Sequence, residues 1–177
     1  MRLFTCILIP NKIKLSLLRF QDELSRIPLK GNFVEKDNLH ITITFLGEKN
    51  ENETKNIMNG LNKLDANVFR VQLDGIKIIP RMNNIKIIGI SVKDHDEQLK
   101  DLIEKTVKNI GGTYHLESKL TLCRVSKIFD KNEVLDFLRK NQYIKFGEFE
   151  VNSINLMEST LTKNGLLYKN IFTKVLK

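Results

Sequence analysis

Two stretches of this chain repeat one another, and the repeat limits the folds open to it. Leu39–Glu48 reads LHITITFLGE and Ser118–Lys127 reads SKLTLCRVSK. In an extended strand, successive side chains alternate between two faces. His40, Thr42 and Thr44 then share one face, and Leu39, Ile41, Ile43 and Phe45 the other. At an offset of 79 residues, Lys119 falls under His40, Thr121 under Thr42 and Cys123 under Thr44. An imidazole and hydroxyls above an apolar underside suit a strand that lines a polar cavity. Taken alone, such a strand reads first as a half-exposed one with its polar face in water. Its repetition at an offset close to half of a 177-residue chain favours two related halves, each supplying one such strand.

The flanking segments fit that division. Arg2–Ile9 is a near-continuous apolar run, as expected of a strand buried on both faces. Asn11 is placed to cap a helix whose apolar positions Ile13, Leu17, Leu18, Leu24 and Ile27 recur at helical spacing before Pro28. A polar connection, 31–38, carries Phe33 and Val34. Residues 51–64 read as a second helix. Phe69–Ile79, interrupted at Gly75, and Ile85–Val92 read as a hairpin turning at 80–84. Asp94 and Glu97 have capping-box spacing for a third helix, which Gly111-Gly112 ends. Asp130 and Glu133 repeat that spacing before a fourth. The tail 146–176 lacks helical period and reads as two or three strands, with an Asn-Gly turn at 163–165. The expected fold class is α+β: two pseudo-symmetric lobes, each an antiparallel sheet with helices on its outer face, enclosing a central groove. No linker or low-complexity segment divides the chain, so residues 1–177 are expected to form a single two-lobed domain.

Composition narrows the functional classes. Lys and Arg number 29 against 21 Asp and Glu, a net charge of +8 that favours a polyanionic partner, nucleic acid first. The many Lys, Ile and Asn residues also match a general compositional bias, so the charge is a weak signal. Cys6 and Cys123, the only cysteines, lie in apolar runs and are expected to be buried free thiols rather than a disulfide or metal site. The first residues lack a secretory cleavage pattern, and no run approaches a membrane span. A cytoplasmic monomer without membrane contact is expected.

With these residues in view, the chain resembles the 2′,5′ RNA ligase family, also called RNA 2′,3′-cyclic phosphodiesterases, within the two-histidine phosphoesterases. RLFTCILIP, NLHITITFLGE, SKLTLCRV and INLMESTLTKNGLLY carry the resemblance nearly end to end. It implies a metal-independent, cofactor-free hydrolase that opens 2′,3′-cyclic phosphate ends of RNA to 2′-phosphates, with or without reversible 2′,5′ ligation. His40 takes the proton-donor position. Thr42 and Thr121 bind phosphate oxygens as charge develops. Arg124 matches a family arginine and would bind phosphate, yet strict alternation puts it on the face opposite Lys119 and Thr121. It reaches the groove only if the strand twists or bulges, and is otherwise a surface residue.

The chain departs from the family at one decisive position. Where the second motif carries His, this chain has Lys119. A lysine near its ordinary pKa of about 10.4 is protonated at neutral pH and accepts no proton. A neighbouring phosphate favours the charged form further. Lys119 is therefore expected to clamp phosphate as a point charge while occupying the acceptor position, with catalysis weakened. His115 lies about 13 Å from Lys119 in extended chain, and replaces the missing group only if the chain turns tightly at 117–118. His95 reads as solvent-exposed. Phe45, one turn of the repeat from Arg124, reads as core. Ser159 and Tyr168 fit family positions, and Tyr168 reads as packing between lobes rather than as a base-stacking platform. The rival functions are a non-catalytic RNA or nucleotide binder on the same fold and a purely structural domain.

Overall fold

A computed structural model describes residues 1–114, 118–163 and 165–177. In chain order the elements are β1 (Arg2–Leu8), α1 (Asn11–Ser25), β2 (Leu29–Phe33), a 3₁₀ turn (Lys36–Asn38), β3 (His40–Glu48), α2 (Glu51–Asn62), β4 (Phe69–Arg81), β5 (Asn84–Asp94), α3 (Gln98–Ile110), β6 (Lys119–Ile128), α4 (Lys131–Lys140), β7 (Lys145–Val151), β8 (Ser153–Thr162) and β9 (Gly165–Val175). The strands run β7-β4-β5-β6-β3-β1-β8-β9, with β2 paired to β6, and every pairing is antiparallel.

The order divides at β3 and β6, the two motif strands. They meet through one residue pair, Ile41 opposite Leu120, after which β6 takes β2 as its neighbour instead. One lobe thus holds β1, β3, β8 and β9; the other holds β2, β4, β5, β6 and β7. Ile41 and Leu120 are both fully buried, so the seam is apolar beneath and polar above. Full burial of each such side chain contributes about 1.5–3 kcal/mol. The lobes do not follow the halves of the sequence. Helix α1 packs on β2, β6 and β7 of the second lobe, while α2 and α3 pack together against β9 and β3 of the first. Leu24 of α1 and Val134 and Leu138 of α4 share a cluster with Ile88 and Cys123, which seats α4 on the second lobe as well.

Helix boundaries follow local chemistry, with two departures from expectation. Helix α1 is capped by Pro10 in extended conformation, and Asn11 is its first residue rather than its cap. Proline's missing N–H costs nothing at a helix start, where the first donors lack intrahelical partners anyway. Helix α3 begins at Gln98, not Asp94; Glu97 has a positive φ of 54°, and the Asp94 carboxylate reaches over to accept from the Leu99 N–H. The cap is thus made from a distance rather than as a capping box. A full box does occur at α2, where Asn50 and Glu53 exchange side-chain-to-backbone bonds of 2.9 Å. At α4, Asp130 accepts from the Glu133 N–H as the spacing predicts. Gly112 ends the α3 connection with φ of 100°, a conformation open to glycine.

The motif strands carry matching bulges. On β3, Thr42 pairs with Cys6 and Thr44 with Thr5, leaving Ile43 without a partner. On β6, Thr121 pairs with Gly89 and Cys123 with Ile88, leaving Leu122 without one. Ile43 and Leu122 are again 79 residues apart. A bulge inserts one residue and reverses the alternation beyond it. Thr44 accordingly leaves the groove face: it is fully buried, and its hydroxyl donates to the Thr113 carbonyl at 3.0 Å. Phe45 is turned the other way and is 44% exposed, which corrects its expected place in the core. Both cysteines are free and buried. Burial raises the Cys6 thiol pKa strongly and that of Cys123 to about 11, so neither is a nucleophile at neutral pH. Among the described residues no helix is long and apolar enough to cross a membrane.

Candidate active site

The groove-side surface is set by cross-strand rows. Rows Ile76–Ile90–Leu120–Ile41 and Ile78–Ile88–Cys123 point into the helix-side core. The intervening rows therefore face the groove. They carry Thr121 with Gly89 and Lys77, and Arg124 with Ile87, Ile79 and Asn32. Lys119 lies two residues before Thr121, opposite Ser91, on the same face. The antiparallel pair Ile41–Leu120 sets His40 on the Thr121 side of the seam and Thr42 on the Lys119 side. His40, Thr42, Lys119 and Thr121 thus converge, each motif's first residue beside the other motif's threonine.

Arg124 joins them because of the bulge at Leu122. In strict alternation it would point into the core with Leu120 and Leu122; with the bulge, Arg124 is exposed on the groove side. Its charge reaches across: Arg124 is among the groups that lower the pKa of both His40 and Tyr168. Arg124 and Phe45 occupy equivalent places in the two motifs, so the same bulge presents a cation on one strand and an aromatic ring on the other.

His40 is held at both ring nitrogens. Nδ1 lies 2.6 Å from the Asn38 carbonyl oxygen and Nε2 lies 3.0 Å from the Thr42 hydroxyl. A carbonyl only accepts, so Nδ1 carries a hydrogen, and Nε2 is the nitrogen whose protonation can change. Asn38 is itself anchored, its amide donating to the Leu166 carbonyl at 2.8 Å on the β8–β9 hairpin. The ring packs against Phe4 at 5.1 Å and edge-on to Tyr168 at 5.4 Å. Burial lowers the His40 pKa below its ordinary 6.5; the bond to Asn38 opposes this and Arg124 reinforces it. Tyr168 stacks edge-on against Phe4 at 4.9 Å and shares a small cluster with Phe4, Cys6 and Met157. It packs on β1 and β8 within the first lobe rather than between the lobes, and its hydroxyl pKa is raised chiefly by burial.

Asn38 and Phe4 were not visible as site residues in the sequence. Asn38 acts through its backbone carbonyl, which any residue supplies. Phe4 sits in a run that is apolar on both faces, and only its ring contact in the folded chain shows that it lies against His40. His95 is exposed, and His115 lies outside the described residues. Among the described residues no group of three or more His, Cys, Asp or Glu side chains could hold a metal ion.

Comparison with known proteins agrees with this geometry. Residues 7–88 match the family model of the LigT like Phosphoesterases. The chain is 38% identical over 177 residues to an RNA 2′,3′-cyclic phosphodiesterase of Methanocaldococcus jannaschii, covering 97% of this chain and 98% of that one. It is 31% identical to the protein of the same name from Archaeoglobus fulgidus, at 97% and 98% coverage. Among solved structures, Escherichia coli LigT complexed with phosphate superposes with a TM-score of 0.78 at 20% identity, covering 99% of this chain and 97% of that one. TT0787 of Thermus thermophilus superposes with a TM-score of 0.74 at 20% identity and the same coverage. With the two-lobed sheet, the paired motif strands and relatives aligned along nearly the whole length, the chain belongs to the LigT-like phosphoesterase family.

Proposed function

We propose that this chain is an RNA 2′,3′-cyclic phosphodiesterase that opens cyclic phosphate ends to 2′-phosphates. The observation that carries the reading is His40, its Nδ1 fixed on the Asn38 carbonyl and its Nε2 turned to Thr42, beside the Lys119–Thr121 strand. The relatives from M. jannaschii and A. fulgidus bear that activity in their names. In the reaction, a water oxygen attacks phosphorus and the P–O3′ bond breaks. Protonated His40 gives its Nε2 proton to O3′, and the water proton leaves to solvent. Lys119 and Arg124 hold the phosphate oxygens electrostatically, while Thr42 and Thr121 donate to them as negative charge grows. Lys119, a cation, does not deprotonate the water, so the reaction runs without one of its two expected proton-transfer groups. We place the protein in the cytoplasm as a monomer, with residues 1–177 acting as one two-lobed unit.

Lys119 also favours a second reading, a non-catalytic binder of RNA ends on the same fold. An oligonucleotide ending in a 2′,3′-cyclic phosphate separates the two. The enzyme yields a 2′-phosphate end, and His40→Ala abolishes the product. Salt-sensitive binding without turnover, in the wild type as in His40→Ala, would establish the binder instead.

A further inference from the structure

The row that carries Thr121 continues beyond the residues assigned so far. Thr121 pairs with Gly89 on β5, and Gly89 pairs with Lys77 on β4. Paired residues share a face, so Lys77 stands on the groove side with Thr121, and its flanking neighbours Ile76 and Ile78 pack into the core. Two strand spacings separate Lys77 from Thr121, roughly 10 Å between backbones. No side chain stands between them, because the intervening residue is glycine. Glycine is dictated there by the bulge: a Cβ on Gly89 would lie 2.5 Å from the Leu120 carbonyl oxygen. The neighbouring row, Arg124–Ile87–Ile79, places two half-exposed isoleucines beside this one. A cation and an apolar ledge thus adjoin the reacting phosphate's position on the β4–β5 side.

We infer that Lys77 binds a second phosphate of the substrate, the phosphodiester one nucleotide before the cyclic end, with the nucleoside between them lying against Ile79 and Ile87. This inference rests on the proposed reading of the site and deepens it: it assigns the residue that would distinguish an oligonucleotide end from a free cyclic mononucleotide. A lysine suits the task, since its flexible stem delivers a point charge back across Gly89 without requiring a fixed approach.

The test compares a nucleoside 2′,3′-cyclic monophosphate with a dinucleotide ending in the same cyclic phosphate. The wild type is expected to show the lower KM for the dinucleotide. Lys77→Ala is expected to raise that KM about tenfold, as loss of one charge-assisted contact does, with kcat and all mononucleotide constants unchanged. The slope of log KM for the dinucleotide against log salt is expected to fall by about 0.7, one single-strand phosphate contact. Lys77→Arg should retain most of the preference, and Lys63→Ala, at the C-terminal end of α2, should not alter it. Equal effects of Lys77→Ala on both substrates, or none on either, would overturn the inference. If the wild type turns over neither substrate, the proposed activity falls separately. Lys77 is then judged by Kd for the dinucleotide and mononucleotide products, with a Lys77-independent ratio counting against it.

Discussion

Replacing Lys119 by histidine tests how this site manages protons. In the wild type His40 must be protonated to give up its Nε2 proton, and its pKa lies below the ordinary 6.5 because the ring is buried and Arg124 is near. Above that pKa the imidazolium fraction falls tenfold per pH unit. The kcat profile of the wild type should therefore be a single descending limb, highest at acid pH. Lys119→His puts a second imidazole across the Ile41–Leu120 seam, on the same face as Thr121. A general base contributes about 10²–10⁴-fold in rate. The lower end is expected here, because His40 owes its aim to the Asn38 carbonyl and a newly placed ring has no partner selected for it. Loss of the Lys119 charge acts in the opposite direction, on KM, by roughly tenfold or more for a charge-assisted contact. The assay is kcat and KM for a cyclic-phosphate oligonucleotide from pH 5 to 9. Expected are a kcat about a hundredfold higher, a raised KM and a bell-shaped profile. Unchanged kcat and KM would show that Lys119 does not contact the reacting phosphate. A fall in kcat with loss of the descending limb would show that Lys119 itself transfers the proton, refuting its role as a fixed charge.

Other substitutions probe other parts of the argument. A histidine whose folded pKa is depressed contributes stability that is present above its unfolded pKa and lost as pH falls through the folded one. Wild-type Tm should therefore drop below about pH 6.5, and His40→Gln should drop less over the same range, as followed by thermal melts across pH. Gly89→Ala forces a Cβ against the Leu120 carbonyl oxygen at the β6 bulge. It should destabilise the fold by about 1–3 kcal/mol in denaturant titration, and an unchanged midpoint would show that the bulge yields freely. Ile41→Ala and Leu120→Ala each empty a fully buried position at the seam. Each should cost about 2–5 kcal/mol, and a double-mutant cycle should return a coupling of at least about 0.5 kcal/mol if the pair joins the lobes.

The elements were largely legible in the sequence because periodicity reports burial directly. Alternation over 39–43 and the apolar stripe of 98–110 reflect faces that the structure does bury. What escaped is information held by partners. Helix α1 belongs to the second lobe although it follows the first strand of the other, and nothing within residues 11–25 states which sheet will receive its apolar face. The α3 start escaped for a related reason: Asp94 caps Leu99 across a left-handed turn at Asp96 and Glu97, so the right residue was in view with the wrong geometry.

The bulges decide the site more than any single side chain does. In strict alternation Thr44 would share the groove with His40, and Arg124 would lie in the core. One unpaired residue in each strand, Ile43 and Leu122, exchanges those positions. It turns a threonine hydroxyl inward to the Thr113 carbonyl and an arginine outward to the groove side. The repeat of 79 residues therefore conserves the bulge as well as the His/Lys-x-Thr spacing, and the two features act together. The spacing brings the first and third residues of each motif to the seam, and the bulge then adds the sixth. In one strand that sixth residue is Phe45, in the other Arg124. The groove is thus symmetric in backbone and asymmetric in charge: the β6 side brings the cations Lys119 and Arg124, while the β3 side brings the imidazole of His40. On the proposed reading, a groove built this way holds an anion from one wall and transfers protons from the other.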